Sequence, residues 1–134
     1  MRDEQMTVTA YLCADPAAEA LDFYKRAFGA EEVGERYEEG DGRIGHATFR
    51  IGATTLYISD EAPSLGVRSP VTLKGSPVSL SLAVPDADAA FARAIDAGAT
   101  VDRPLKDEPY GRSGWLHDPF GYRWNIVSEP KAVA

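Results

Sequence analysis

Five positions in the second half of this chain repeat the first half at a fixed offset. Gly98, Gly111, Arg112, Gly114 and Gly121 lie 69 residues after Gly29, Gly42, Arg43, Gly45 and Gly52, in the same order and with the same gaps. Of the six glycines in the first 65 residues, four meet a glycine at this offset, where a frequency of 12 in 134 would give about half a match by chance. The pattern reads as an internal duplication. Glycine keeps such a trace because turns and helix ends need backbone conformations that a side chain penalises. A length of 134 residues then suits one compact domain, or two half-size modules fused around a shared core.

The second copy shows the strand pattern best. Asp118-Pro119-Phe120-Gly121 combines an acceptor side chain, a preset φ and a residue free to take positive φ, the chemistry of a tight turn. Trp115 and Leu116 before it, and Tyr122, Trp124, Ile126 and Val127 after it, suit a half-buried pleated surface, so an antiparallel hairpin is predicted. Residues 6–13 (MTVTAYLC) alternate as a first strand with two unlike faces. Asp15-Pro16 supplies an N-cap and an N1 proline, and Ala17, Leu21, Tyr24 and Phe28 recur at helical spacing until Gly29. Residues 31–39 suggest a more exposed strand, GDGRIG a loop, and Ala47, Phe49 and Ile51 a third strand that turns at Gly52-Ala53 into TTLYIS. The second copy runs VSLSLAV, a helix from Pro85-Asp86 with a stripe of Ala87, Ala90, Phe91, Ala94 and Ile95 that stops at Gly98, a strand over 99–105, and the hairpin. The expected class is α+β: module one over 6–59, a connection over 60–76 marked by Pro63, Gly66, Pro70 and Gly75, and module two over 77–128, each module βαβββ.

Charge and cysteine content exclude several classes. A net charge of −7 argues against a protein that tracks nucleic-acid phosphates. One cysteine, Cys13, leaves no internal disulfide and no Cys-based zinc site, and no apolar run reaches membrane-spanning length, so the cytoplasm is the expected compartment. Cys13 reads as a small strand residue, since no motif around it lowers a thiol pKa.

DFYKRAFGAE after the first strand, DAGA at the second helix end and EPYGRSGWLHDPFGYRW near the C-terminus resemble the vicinal oxygen chelate superfamily, in its glyoxalase/bleomycin-resistance/dioxygenase branch. The resemblance covers nearly the whole chain, with DPFG-aromatic-x-Trp its most specific part. It implies that each mixed sheet curls into a half-barrel, that the inner faces of the pair surround one small-molecule cleft, and that such chains form homodimers. It also implies a test for a metal. In metal-dependent members an inward His or Gln on the first strand and a Glu on the last strand of each module hold a divalent ion, which polarises a carbonyl or stabilises an enediolate. Those positions fall near Thr9, Leu56, Ser79 and Asn125, where no His or Glu stands, and a shift of one residue restores none. No metal or other cofactor is therefore expected, unless a partner subunit donates ligands.

The candidate ligand-binding residues follow from strand parity. If Val8, Ala10 and Leu12, with Val78, Leu80 and Leu82, pack beneath the helices, then Thr9, Tyr11, Cys13, Ser79 and Ser81 face the cleft. Arg123, Asn125 and Val127 share that face on the last strand, leaving Trp124 and Ile126 in the core. Hydroxyls, a phenol and an amide there could orient a small molecule by a few hydrogen bonds. Tyr110 and Arg112 sit on the loop entering the hairpin and could close over the mouth, the guanidinium suited to an anionic group. Arg43 at the matching position equally supports a fold-holding ion pair for both arginines. Trp115 reads as core. His46 and His117 lie near corresponding edges of the repeats, where a metal or proton role competes with a plain hydrogen-bonded one. Two functions stay open: metal-independent sequestration of an organic ligand, or a lyase, isomerase or dioxygenase in which Tyr11, His46 or a partner's group replaces the chelate.

Overall fold

A stretch rich in alanine, leucine and aromatics follows the first short strand, and in the computed structural model, which describes residues 3–130, it is the helix α1, Ala17–Phe28. It buries Ala17, Ala20, Leu21, Phe23, Tyr24 and Ala27, a wider stripe than the four-residue one expected. It stops at Gly29, whose φ of 69° turns the chain so that Gly29 N–H reaches Lys25 O and Ala30 N–H reaches Tyr24 O. The start differs from expectation. Pro16, not Asp15, stands at the N-cap and offers no side chain to the first turn; instead Asp60 accepts from the N–H of Ala17 at 2.9 Å and of Ile44 at 2.6 Å. A carboxylate 43 residues away thus does the capping.

Strand β1 is Tyr11–Cys13, β2 Glu31–Glu38, β3 Ile44–Ile51 and β4 Thr54–Ser59; they form one sheet in the order β1-β4-β3-β2, with β1 parallel to β4 and the other pairs antiparallel. The second half repeats it. β5 (Ser79–Ala83), the helix α3 (Ala87–Ala97), β6 (Thr100–Glu108), β7 (Gly111–His117) and β8 (Arg123–Ser128) give the order β5-β8-β7-β6, again with one parallel pair. The connection carries a 3₁₀ turn at Pro63–Leu65 and the four-residue helix α2, Pro70–Leu73. Two four-stranded mixed sheets with helices make this an α+β fold of two βαβββ modules, and neither sheet closes into a barrel. The halves are not identical. Ile51 pairs with Thr54 across a two-residue turn but His117 pairs with Arg123 across five residues, although Gly52 and Gly121 both take positive φ.

Two expectations about the first strand are corrected. The ladder of β1 begins at Tyr11, opposite Tyr57, rather than at residue 6, and Val8 before it is fully exposed. Val78, before β5, is also exposed, so neither valine packs beneath a helix. β6 runs to Glu108, beyond the expected 105, and keeps Pro104 because it is an edge strand.

The helices join the halves. Arg26 Nη1 donates to Ala97 O at 3.0 Å, and Arg93 Nε donates to Arg26 O at 2.7 Å, so each helix lends an arginine to the carbonyl end of the other. Phe23 and Phe28 of α1 meet Phe120 and Trp124 of the second half at ring distances of 6.3 and 4.7 Å. Tyr24 Oη donates to Asp118 at 2.5 Å, and Cys13 N–H donates to Tyr122 Oη at 2.9 Å. Residues of both modules therefore share one core between the helix-bearing faces.

Burying these protons sets an alkaline limit on stability. Desolvation, then the charge of Asp118, pushes the Tyr24 phenol well above its ordinary value; burial also raises Tyr122; and burial, then Glu61, Asp60 and Asp15, pushes the Cys13 thiol up to about 11. A raised folded-state pKa favours the fold fully below the unfolded value and ceases to do so as pH rises through the folded one. Stability should fall from about pH 9 upward, where unfolded thiols and phenols begin to ionise. Tyr24→Phe should flatten the slope of urea-unfolding free energy between about pH 9.5 and 11; an unchanged slope would show that this phenol does not set it.

Candidate functional site

Strand parity sends one set of side chains away from the helices. On the first sheet Tyr11 and Cys13 stand opposite Tyr57 and Ser59, with His46 and Thr48 on the neighbouring strand. Tyr11 Oη lies 2.7 Å from His46 Nδ1, and His46 Nε2 lies 3.2 Å from Thr48 Oγ1. One tautomer satisfies both contacts with the phenol as donor: Nδ1 accepts from Tyr11 and Nε2–H donates to Thr48. The rings of Tyr11, His46 and Tyr57 contact one another edge-on at 4.9–5.4 Å. Burial, then Tyr57, raises the Tyr11 phenol, which stays protonated at neutral pH. Leu56, where counting placed a family ligand position, is buried on the helix side, and Tyr57 takes the site face instead.

A cavity of about 480 Å³ opens beside this cluster, where the parallel strands end. It is lined by Tyr11, Cys13 and Ser59, by the apolar Leu12, Ile44, Leu65 and Val67, and by the charged Glu39, Arg43 and Glu61. Arg43 is already engaged, Nε with Asp41 at 2.8 Å and Nη1 with Glu61 O at 3.1 Å.

On the second sheet Ser79, Ser81 and Asn125 share a face, where Ser81 and Asn125 are already hydrogen-bonded. Ser81 Oγ donates to Asn125 Oδ1 at 3.0 Å, and Asn125 Nδ2 donates to Ser113 Oγ at 2.6 Å and Gly114 O at 3.1 Å, so the amide ties β5, β8 and β7 together. Trp115, expected in the core, lies half-buried on this face because Leu116 and Gly114 occupy the helix side. Arg123 stacks 3.8 Å over its ring and donates to Asp102 at 2.7 Å, with His117 3.7 Å from the same carboxylate. Trp124 and Ile126 are buried in the core, as read from the sequence. Tyr110 and Arg112 line a wide, acidic depression of about 1120 Å³ with Asp86, Asp88, Asp107 and Glu108. There Arg112 donates to Asp88 at 2.9 and 3.1 Å and to Asp107 at 3.3 Å, the ion-paired alternative.

The family's divalent ion does not fit this face. Thr9, Tyr57, Ser79 and Asn125 are neutral, Arg123 beside them is cationic, and among the described residues no three of His, Cys, Asp or Glu converge into a ligand set. Nor does any buried side-chain nitrogen or oxygen there lack a hydrogen-bond partner. His46 and His117 lie in different sheets with different partners.

The two cavities are each lined from one half of the chain. The helix-bearing faces share one core, so the helix-free faces point away from it. Sequence reasoning also missed Tyr57, His46 as the partner of Tyr11, Ser113 and the capping carboxylate of Asp60. Tyr57 alone had a signal, since its alternation with Leu56 and Ile58 in TTLYIS puts it on the other face.

The family model described as Glyoxalase/Bleomycin resistance protein/Dioxygenase superfamily matches residues 6–126. An uncharacterised protein of Mycobacterium tuberculosis is 43% identical over 130 residues, covering 94% of this chain and 76% of that one. The crystal structure of TioX from Micromonospora sp. ML1 is similar at a TM-score of 0.67 and 25% identity, covering 96% and 100% of the two chains. That of the fosfomycin resistance protein FosX from Mesorhizobium loti shares the fold at a TM-score of 0.69, with 16% identity and coverage of 94% and 93%. No helix among the described residues is long and apolar enough to cross a membrane.

Proposed function

The chain belongs to the Glyoxalase/Bleomycin resistance protein/Dioxygenase superfamily, and from that premise we propose that it is a metal-independent binding protein that sequesters a small organic molecule against the helix-free faces of its sheets. The observation that carries this reading is the cavity of about 480 Å³ lined in part by Tyr11, beside ring contacts among Tyr11, His46 and Tyr57, where no metal ligand set stands among the described residues. Its size lies in the usual range for small-molecule sites. Apolar walls supply affinity, and the Tyr11–His46–Thr48 chain fixes a hydrogen-bonding direction. A lone buried cysteine accords with the cytoplasm as the compartment.

The functional unit in this proposal is a homodimer. Among the described residues, one chain leaves Tyr11, Tyr37 and Val78 exposed and the edges of β1 and β5 without a neighbouring strand, so a second copy laid on these faces would both cover them and complete a cleft. Light scattering after size exclusion should return twice the 14.5 kDa chain mass. A monomer at micromolar concentration would overturn the dimer and leave each cavity to act alone.

Thermal denaturation against a library of metabolites and antibiotics tests binding, because a ligand present at about 100 times its Kd adds about 2.7 kcal/mol of stability. Absence of any stabilising compound in a broad screen would remove the reading's support. A second reading, an isomerase, lyase or dioxygenase, is favoured by one observation: the Thr48–His46–Tyr11 chain has the form of a proton relay. Near-stoichiometric transition metal in the purified protein, by elemental analysis, would favour that reading over sequestration.

A further inference from the structure

The cavity beside Tyr11 has a definite electrical character, and its polar groups differ in how far they are already used. Arg43, its one cation, spends Nε on Asp41 and Nη1 on the Glu61 carbonyl. The Ser69 N–H, foremost, holds Glu61 below its ordinary pKa and hence ionised. Glu39 lines the same cavity, and its carboxylate accepts no hydrogen bond among the described residues. In the tautomer whose Nδ1 accepts, His46 takes the Tyr11 proton and the phenol oxygen keeps its lone pairs as acceptors beside the cavity. The elevated Cys13 thiol reports the same field: after burial, the carboxylates of Glu61, Asp60 and Asp15 are what oppose its ionisation. Among the described lining residues, an anion entering here would meet the carboxylates of Glu39, Asp60 and Glu61 against a single cation, Arg43, already paired with Asp41.

We propose that this cavity takes a small organic amine, its apolar body against Leu12, Ile44, Leu65 and Val67 and its protonated nitrogen shared between the Tyr11 phenol oxygen and the Glu39 carboxylate. The proposal deepens the sequestration reading and rests on it. The Tyr11 ring among the lining residues adds to the selection, since an aromatic π system attracts a cation and not a carboxylate. Affinity should weaken with salt, because the cavity is partly solvated.

Calorimetric titration of the full-length chain at low ionic strength with benzylamine, benzyl alcohol and benzoate separates the outcomes. Benzylamine should bind about tenfold or more tightly than benzyl alcohol, the gain of one charge-assisted hydrogen bond, and benzoate should not bind. Glu39→Gln should weaken benzylamine about tenfold and leave benzyl alcohol unchanged. Its melting temperature should stay that of the wild type, because the side chain is exposed and accepts no hydrogen bond. Benzoate binding as tightly as benzylamine would overturn the amine preference while sparing the sequestration reading. Benzylamine binding that Glu39→Gln leaves intact would overturn the site. No binding by any of the three would overturn the inference, and the library screen would then decide the broader reading alone.

Discussion

Asp118→Ala should destabilise the protein by about 3–5 kcal/mol, lowering the melting temperature by roughly 10–20 °C. This carboxylate is buried and accepts four hydrogen bonds: from Tyr24 Oη at 2.5 Å, Trp124 Nε1 at 2.9 Å, and the N–H groups of Phe120 at 2.8 Å and Tyr122 at 3.0 Å. Burial alone raises its pKa, and the four donors pull against that rise. Alanine would leave buried donors from three elements unpaired, and unmet donors cost more than the bonds contribute. Asp118→Asn should be intermediate, because one oxygen can still serve the two backbone groups while the amide nitrogen confronts the phenol and the indole. Urea unfolding followed by circular dichroism would check both. A loss below about 1 kcal/mol for alanine would mean that this turn does not hold the halves together.

Trp124→Ala is the second large effect, again about 3–5 kcal/mol. The indole is 3% exposed, and its ring lies 4.7 Å from Phe28 and 5.6 Å from Tyr24, both on the helix of the opposite module. Truncation opens a cavity where the halves meet, and the surrounding rings belong to rigid elements that relax only in part. Trp124→Phe, which keeps a ring but removes the bond to Asp118, should cost roughly 1–3 kcal/mol. Because Trp124 and Asp118 share that bond, the double variant Asp118→Ala/Trp124→Phe should lose less than the sum of its parts. Strict additivity in a double-mutant cycle would argue that the indole acts by packing alone.

Much of the architecture was legible because its causes are local or periodic. The glycine repeat predicted two like halves, and the halves carry the same sheet order. Gly29 and Gly98 end helices, and Gly114 persists for a different reason: a Cβ there would come within 2.8 Å of Phe91 and 3.0 Å of the Leu105 nitrogen. Alternation placed Leu12, Trp124 and Ile126 in the core correctly, but it misplaced Val8 and Val78, because periodicity tells which way a side chain points and not where pairing with the neighbouring strand stops. The candidate site was legible only as a list of residues on one face. Alternation could not say that Ser81 and Asn125 bind each other and Ser113, or that Arg112 belongs to Asp88.

From the order of residues alone come the duplication, the strand and helix sequence, the family, and the lack of a His and Glu set at the positions where that family holds an ion. These follow from hydrophobic period, turn chemistry and residue identity, which act over a few positions. Folding in three dimensions supplied the rest: Asp60 capping a helix 43 positions away, Tyr11 meeting His46 across 35, and the joining of two helix-bearing faces into one core. Such pairings depend on which elements come to lie side by side, and hydrogen bonds of 2.5–3 Å form wherever chain crossings bring donors and acceptors together, however far apart they stand in sequence.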